Sequence, residues 1–220
     1  PSILHLDGRS REQALKIRRL VGEERLLELA CNLPVSGGSS LASILWIRDN
    51  HPEIYSRGRF GHTNTFMIKQ LTGEWGIDPS TTSITGLYNT ARNDLTWNDE
   101  VLGLTGLDPA KLPKLHHSFT PVGTLQKEIV EQFGFPPDCV VLCGGNDAVL
   151  ATLSTDLIKP GDICTTNGTT DITLVILDKP LRSREFNIRC HVLPGLWVTF
   201  FVLNTGSIAF DWFYREFCRE

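Results

Sequence analysis

The feature that most constrains the fold of this chain is a short apolar run that ends in two glycines. Residues 139–143 read CVVLC, a β-branched stretch typical of a buried central strand, and Gly144 and Gly145 follow it. The next segment, NDAVLATLSTDL, has the pattern of a helix. A strand, a glycine turn and a helix in this order indicate an α/β fold. Asp147 then lies where such a sheet presents functional groups, unless Asn146 or Asp147 simply caps the helix.

The other segments divide into a helix-rich first part and a hairpin-rich second part. Helices are predicted over residues 10–22, 23–30, 40–55, 62–72, 98–106, 124–134 and 207–217. Residues 2–6 favour a short strand, and residues 76–89 favour a strand or an extended loop. Asn167 and Gly168 between two β-branched runs predict a hairpin, which further strands extend. We therefore expect two α/β domains that join near residues 145–160.

Composition excludes several classes of function. The net charge is -4 in 220 residues with no run of five like charges, so we expect no nucleic-acid partner and no anionic membrane surface. Neither a membrane-spanning stretch nor a signal peptide is predicted, which favours a cytoplasmic protein. The six cysteines are scattered without metal-ligand spacing, and we expect them to be reduced thiols.

A second motif, NGTTD, follows the predicted domain junction. The backbone N–H groups of a glycine turn at Gly168, together with the hydroxyls of Thr169 and Thr170, are the groups that a phosphate chain needs. A plain hairpin turn is the alternative, because Asn-Gly is common in hairpins.

Six segments, taken in order along nearly the whole chain, resemble the FGGY family of carbohydrate kinases, whose members include xylulokinase, ribulokinase and gluconokinase-like proteins. They are LDGRS (6–10), LASILWIRDNHPE (41–53), MIKQLTGEWGIDPSTTSITGLYN (67–89), LPKLHHSFTPVG (112–123), GGNDAVLATLSTDLIKPGDICTTNGTT (144–170) and LNTGSIAFDWF (203–213). The resemblance implies two ribonuclease-H-like (actin-like ATPase) domains, each only partly covered. Residues 1–152 would be the remainder of the N-terminal domain, on the sugar side, and 153–220 the beginning of the C-terminal, ATP-binding domain.

The resemblance also implies an activity and its residues. It implies transfer of the γ-phosphoryl group of ATP, with Mg²⁺, to a hydroxyl of a ketose or polyol. Asp147 matches the family's catalytic base, with an implied contact to Mg²⁺ through Mg-ATP, and Gly168, Thr169 and Thr170 match a phosphate loop. The implied sugar-side residues are Asp7, Arg9, Trp46, Asp78 and Asn146.

Two alternatives to an enzyme remain at this stage. One is a non-catalytic regulator of the same fold that binds a sugar or a nucleotide, and the other is a scaffold for subunit contacts. The chain begins at Pro1 and stops within a predicted helix, so we expect an internal fragment that lacks the first phosphate loop and the adenosine segment and is inactive alone. The expected partners are a small-molecule sugar and ATP, and the sequence leaves open whether the protein forms a homodimer.

Overall fold

The computed structural model describes residues 2–4, 7–168, 171–203 and 205–218, and it is a mixed α/β structure. The helices are α1 (Arg11–Val21), α2 (Glu23–Ala30), α3 (Ser40–Asn50), α4 (Pro52–Arg57), α5 (Thr63–Thr72), α6 (Pro79–Thr82), α7 (Asp99–Thr105), α8 (Lys127–Phe133), α9 (Asp147–Ser154) and α10 (Gly206–Phe217). The strands are β1 (Gly76–Ile77), β2 (Lys114–Leu115), β3 (Pro121–Thr124), β4 (Val140–Leu142), β5 (Ile163–Asn167), β6 (Asp171–Leu177), β7 (Asn187–Cys190) and β8 (Trp197–Leu203).

Helix ends follow local chemistry. Asp78 and Asn98 accept hydrogen bonds from the first-turn amides of α6 and α7, and they thereby satisfy donors that a helix start leaves free. Gly73 and Gly106 adopt left-handed conformations after α5 and α7, which a glycine allows at little cost. Most of the helices predicted from the apolar spacing are therefore present with nearly the predicted bounds.

The strands form three separate sheets in the described residues. β5, β6, β8 and β7 make an antiparallel sheet in that order, while β1 pairs with β2 in parallel and β3 with β4 in antiparallel fashion. The predicted hairpin around Asn167 and Gly168 is confirmed by the β5–β6 register, in which Asn167 opposes Asp171.

Two hydrophobic cores underlie this arrangement. The first packs α1, α2, α3 and α7 around buried side chains such as Ile17, Leu26 and Leu41. The second packs Val149 of α9 against the four-stranded sheet, next to Leu174 and Phe200. The helix that starts at Asp147 thus belongs, by its packing, with the second part of the chain.

Several local predictions were wrong. Residues 2–4 form no strand, and residues 5 and 6 lie outside the described part. Residues 76–89 were predicted as a strand or an extended loop, and they hold the two-residue β1 and turn or loop segments, so the prediction fails only at the short helix α6. β4 is not a buried central strand, since Val140 and Leu142 are 55% and 50% exposed. The apolar side chains of β4 predicted a buried strand, but a strand is buried only where other elements cover it. β4 pairs in antiparallel fashion with β3 alone, in a two-stranded sheet.

The helices were compared with the length and hydrophobicity of membrane-spanning helices. None of those in the described residues combines the length and the apolar character that a bilayer crossing requires.

The side chain of Asn32 connects the helical first part to β7. Its amide group lies within 3.0 Å of the Ala30 oxygen, 3.1 Å of the Ser83 oxygen and 2.7 Å of the Ile188 oxygen, and its own oxygen accepts from the Ile188 N–H at 2.9 Å. Asn32 is only 5% exposed, so water cannot replace these partners.

We predict that Asn32→Ala lowers the free energy of unfolding by about 3 kcal/mol, because it leaves buried backbone groups without partners. Asn50→Ala is the matched control, since the exposed Asn50 side chain makes one hydrogen bond, to the Trp46 oxygen, and its loss should cost no more than about 0.5 kcal/mol. Urea denaturation of both variants checks this, and an equal effect of the two substitutions would contradict it.

Candidate active site

The loop that precedes α9 places Asp147 at the surface. Asn146 is the cap of α9, and its side-chain oxygen accepts from the Val149 N–H at 3.4 Å. Asp147 is the first residue of the helix and is exposed, with one carboxylate oxygen accepting from the Ala148 N–H at 2.8 Å. Of the two capping residues that the sequence allowed, the structure assigns the capping role to Asn146. Within the described residues, the second carboxylate oxygen of Asp147 has no hydrogen-bond partner.

Asp78 is fully buried and held by protein donors. Its carboxylate accepts from the backbone amides of Ser80 and Thr81 at 2.8 and 3.4 Å, from Asn64 Nδ2 at 3.3 Å and from Ser118 Oγ at 3.2 Å. The hydroxyl of Ser80 makes a further short hydrogen bond to it. A buried charge is tolerated when it has hydrogen-bond donors of this number and kind.

Ser80 connects Asp78 to the loop before Asp147. While its hydroxyl donates to Asp78, it accepts from the Asn146 N–H at 2.9 Å. On the other side of the loop, a Cβ at Gly145 would lie 2.6 Å from Val192 Cγ1 and 3.1 Å from Ser80 Oγ. The loop is therefore held between the start of α6 and the connection from β7 to β8, and glycine is the residue that fits at position 145.

Arg189 of β7 lies near the same loop. Its guanidinium stacks 3.9 Å from the centroid of the Phe200 ring, and its Nε is buried and has no hydrogen-bond partner in the described residues. Burial lowers the pKa of Arg189 to about 10, against the opposing influence of the charges on Asp147 and Asp78. The side chain is thus still a cation at neutral pH, close enough to both carboxylates to sense their charge.

His62, at the start of α5, is the neutral neighbour of Arg189. Its Nε2 lies 2.7 Å from Ser40 Oγ. Burial, followed by the positive charge of Arg189, lowers the pKa of His62 to about 4. At pH 7 this ring carries no charge.

The predicted residues Asp7, Arg9 and Trp46 form a separate group. Arg9 Nε lies 2.9 Å from both carboxylate oxygens of Asp7, and its guanidinium stacks 4.4 Å from the centroid of the Trp46 ring. The hydrogen bonds from Arg9 lower the pKa of Asp7 to about 2. Among the described residues, no hydrogen bond or ion pair joins this group to Asp147, so their role in binding sugar stays a prediction.

Only part of the predicted phosphate loop can be described. Gly168 follows β5, and its oxygen accepts from the Ser207 N–H at 2.9 Å, at the start of α10. Thr169 and Thr170 lie outside the described residues. Their role in binding phosphate, like that of Gly168, remains a prediction.

Sequence reasoning missed several residues that the structure brings to this site. They are His62, Asn64, Ser80, Ser118 and Arg189. Arg189 carried a usable signal, since a charged residue within the strand segment FNIRC requires an explanation. The hydroxyl and amide residues carried none, because their function depends on long-range contacts.

Solved structures of known proteins share this fold. A solved xylulose kinase from Rhodospirillum rubrum superimposes with a TM-score of 0.85 at 21% identity over 94% of this chain and 42% of that one. The predicted fold of two ribonuclease-H-like domains, each partly covered, is confirmed by this likeness.

The family follows from the sequence comparison. Residues 1–154 match the N-terminal domain of the FGGY family of carbohydrate kinases, and the chain therefore belongs to that family. It is 31% identical to a gluconokinase of Bacillus subtilis (strain 168) over 100% of this chain and 43% of that protein. It is 25% identical to an autoinducer-2 kinase of Yersinia enterocolitica over 98% of this chain and 41% of that protein. The chain thus spans less than half the length of these relatives.

We predict that Gly145→Ala destabilises the protein by about 1 to 3 kcal/mol, because the added methyl group would overlap Val192 and crowd Ser80. Gly103→Ala in α7 is the control, since a Cβ there meets nothing within 4 Å. Chemical denaturation of both variants checks the prediction. Equal stability of the two variants would show that the loop shifts freely.

A buried histidine fastens α9 to the second part of the chain. His191 Nδ1 accepts from the Leu193 N–H at 3.0 Å, so Nε2 carries the proton and donates to Thr152 Oγ1 at 2.9 Å. This pairing requires the neutral ring, and burial lowers the pKa of His191 to about 4. Protonation of Nδ1 would break the bond to Leu193.

We predict that this histidine makes the protein less stable in acid. Between pH 6.5 and about 4 the unfolded chain binds a proton at His191 and the folded protein does not, so the free energy of unfolding falls as the pH is lowered. From pH 7 to pH 5 the loss at this residue is about 2 kcal/mol. Urea denaturation at both pH values measures the free energy of unfolding. Its decrease from pH 7 to pH 5 should be smaller by that amount in His191→Gln than in the wild type. An unchanged pH dependence would exclude the role.

Proposed function

We propose that the protein that carries this chain is an ATP-dependent carbohydrate kinase in which Asp147 is the general base. The observation that carries the proposal is an exposed carboxylate on a fixed loop: the Asn146 N–H donates to the Ser80 hydroxyl, and that hydroxyl donates to Asp78. A proton acceptor on a fixed loop suits phosphoryl transfer, which depends mainly on positioning and charge stabilisation.

In the proposed reaction, Asp147 accepts the proton of a carbohydrate hydroxyl as that oxygen attacks the γ-phosphorus of ATP. The bond between the γ-phosphorus and the bridging oxygen breaks, and ADP leaves. Gly168, Thr169 and Thr170 are the residues we propose for the ATP phosphates. Membership in the FGGY family, together with the exposed Asp147 carboxylate, supports these roles.

Magnesium fits this proposal as a partner of the nucleotide. Mg²⁺ prefers carboxylate and phosphate oxygens, and Asp147 offers an exposed carboxylate. Within the described residues there is no group of three or more His, Cys, Asp or Glu side chains that could hold a metal ion. We therefore propose that the ion arrives with ATP, where it would neutralise charge on the phosphates.

The residues proposed to bind the sugar are assigned from the family resemblance and not from their geometry. We propose Asp7, Arg9, Trp46 and Asn146 as sugar-side residues on the strength of the family resemblance. Asp78 is already bound by protein donors, so we propose that it acts first by holding the loop. The division into domains at residues 152 and 153 stays a proposal. The two separate hydrophobic cores favour two domains, but Val149 of the second core lies before that boundary. A cytoplasmic location also remains a prediction from the sequence.

The comparisons are consistent with more than one class of carbohydrate as the phosphoryl acceptor. The sequence predicted a ketose or polyol, whereas the relative from Bacillus subtilis is named for gluconate, a sugar acid. A panel of pentuloses, hexuloses, polyols and aldonates covers these classes. The competing proposal is a binding regulator with the same fold.

We predict that Asp147→Asn lowers carbohydrate-dependent turnover by at least about 10²-fold, because the amide cannot accept the hydroxyl proton. The measurement is a coupled ADP-release assay on the complete protein that carries this chain. Asp156→Asn is the control: Asp156 is an exposed carboxylate just beyond the other end of α9, in a left-handed conformation that asparagine tolerates.

Three outcomes separate the alternatives. Turnover that survives Asp147→Asn would mean that the base is misassigned. Absence of turnover with every carbohydrate, while a carbohydrate or ATP still raises the melting temperature, would favour the regulator. Absence of both turnover and ligand-induced stabilisation would favour a scaffold role.

A further inference from the structure

Arg189 faces the start of α9 because of its position on β7. Ile188 and Cys190 are buried on one face of this strand, so Arg189 projects from the other. It opposes Val198 of β8, whose side chain belongs to the core that also holds Val149 of α9. The face of the sheet that α9 covers is thus the face that carries the arginine.

The guanidinium of Arg189 has no acceptor in the described part of the chain. An arginine offers five N–H donors in a planar fork, yet Arg189 makes no side-chain hydrogen bond or ion pair there, and its Nε is buried. More exposed arginines are paired, as Arg25 is with Glu100 and Arg184 with Glu23. A buried N–H donor without an acceptor is costly, so a ligand that offers oxygen atoms to Arg189 would be favoured.

The neighbouring groups do not take up these donors. Asp78 is bound by Asn64, Ser80, Thr81 and Ser118, and His62 is neutral at pH 7. Asp147 is near enough to favour the positive charge of Arg189, but one carboxylate cannot occupy five donors. Donors of Arg189 therefore remain for a ligand that binds beside Asp147.

The position of Arg189 disfavours the phosphate chain of ATP as that ligand. Through the sheet register, Arg189 aligns with Val198 and Ile176, while the turn after Asn167 lies on the far edge strand. At about 3.3 Å per residue and 4.8 Å per strand, Arg189 and Asn167 are on the order of 20 Å apart. An arginine side chain does not bridge that distance to the proposed phosphate loop.

We propose that Arg189 is a specificity-determining residue that binds the carboxylate of a sugar acid, an aldonate, and selects it over neutral sugars. This inference rests on the proposed kinase function, since it places the ligand beside Asp147. A planar guanidinium fixed against Phe200 matches the two oxygens of a carboxylate. A neutral hydroxyl at the same place would bring no negative charge to this partly buried cation.

The test compares acceptors that differ only in charge. The complete protein is assayed for ADP release with D-gluconate and D-xylonate and with the corresponding carboxamides. For the wild type we expect kcat/KM for an aldonate to exceed that for its amide by about 10²-fold, as expected for a buried charge-assisted pair. Arg189→Gln should raise KM for the aldonates by about the same factor, change kcat less than about tenfold and leave the amides nearly unaffected.

Two further variants control the result. Arg184→Gln removes a surface arginine that pairs with Glu23 and Glu24, and it should leave the preference for aldonates intact. Arg189→Lys keeps the charge but loses the fork, and it should restore part of the preference. If Arg189→Gln fails to fold, the proposal is tested by the wild-type preference for aldonates over their carboxamides and by the change of that preference in Arg189→Lys.

Several results would overturn the proposal. Wild-type turnover of aldonates and amides at equal efficiency would exclude carboxylate selection, as would a preference for ketoses or polyols. An equal loss of kcat for all acceptors in Arg189→Gln would mean that Arg189 acts on the transferred phosphoryl group.

A binding measurement separates this proposal from the proposed function. If no acceptor is turned over, the melting temperature of the wild type and of Arg189→Gln is measured with gluconate and with gluconamide. Stabilisation by gluconate that requires Arg189 would retain anion selection while the kinase function fails. Absence of a difference between the two ligands would overturn the selection itself.

Discussion

The buried carboxylate of Asp78 is the interaction on which the geometry of the site depends. A carboxylate with no exposed surface is tolerated only if donors replace its water, and here the donors come from separate parts of the chain. Asn64 belongs to α5, Ser80 to α6 and Ser118 to the segment before β3. The charge therefore holds three segments together, and through Ser80 it also sets the backbone of Asn146.

The helix that follows is fixed from two sides. Its first residues depend on the loop that Ser80 and Ser118 hold, since the Gly144 N–H donates to the Ser118 oxygen at 2.9 Å. Its later residues belong to the second core, through Val149 and through the bond from His191 to Thr152. Asp147 therefore lies where the two cores meet. In the proposed reaction, a proton acceptor at this position would lie between the two substrates, each of which would contact a different part of the chain.

The sequence predicted much of this outline. Helical spacing predicted most helices, and Asn167 and Gly168 predicted the hairpin. The position of Asp147 behind two glycines predicted a functional carboxylate, and that role stays a prediction. The exposure of β4 was not predictable, because Val140 and Leu142 are apolar whether or not another element covers them. The donors to Asp78 could not be found either, since Asn64 and Ser118 lie 14 and 40 residues from it.

The four-stranded sheet links the proposed roles in one rigid element. Its edge strand β5 leads into the turn proposed for phosphate, and its other edge strand β7 carries the arginine proposed to bind a carboxylate. Both anionic groups of the reaction would then be located by one set of backbone hydrogen bonds, whereas the base is set by a loop fastened to Asp78 and Ser80. A shift of that loop against the sheet would change the distance from base to hydroxyl without moving either anion site. The loop and the sheet approach each other closely where Gly145 faces Val192. This contact therefore fixes the position of the proposed base relative to the two proposed anion sites.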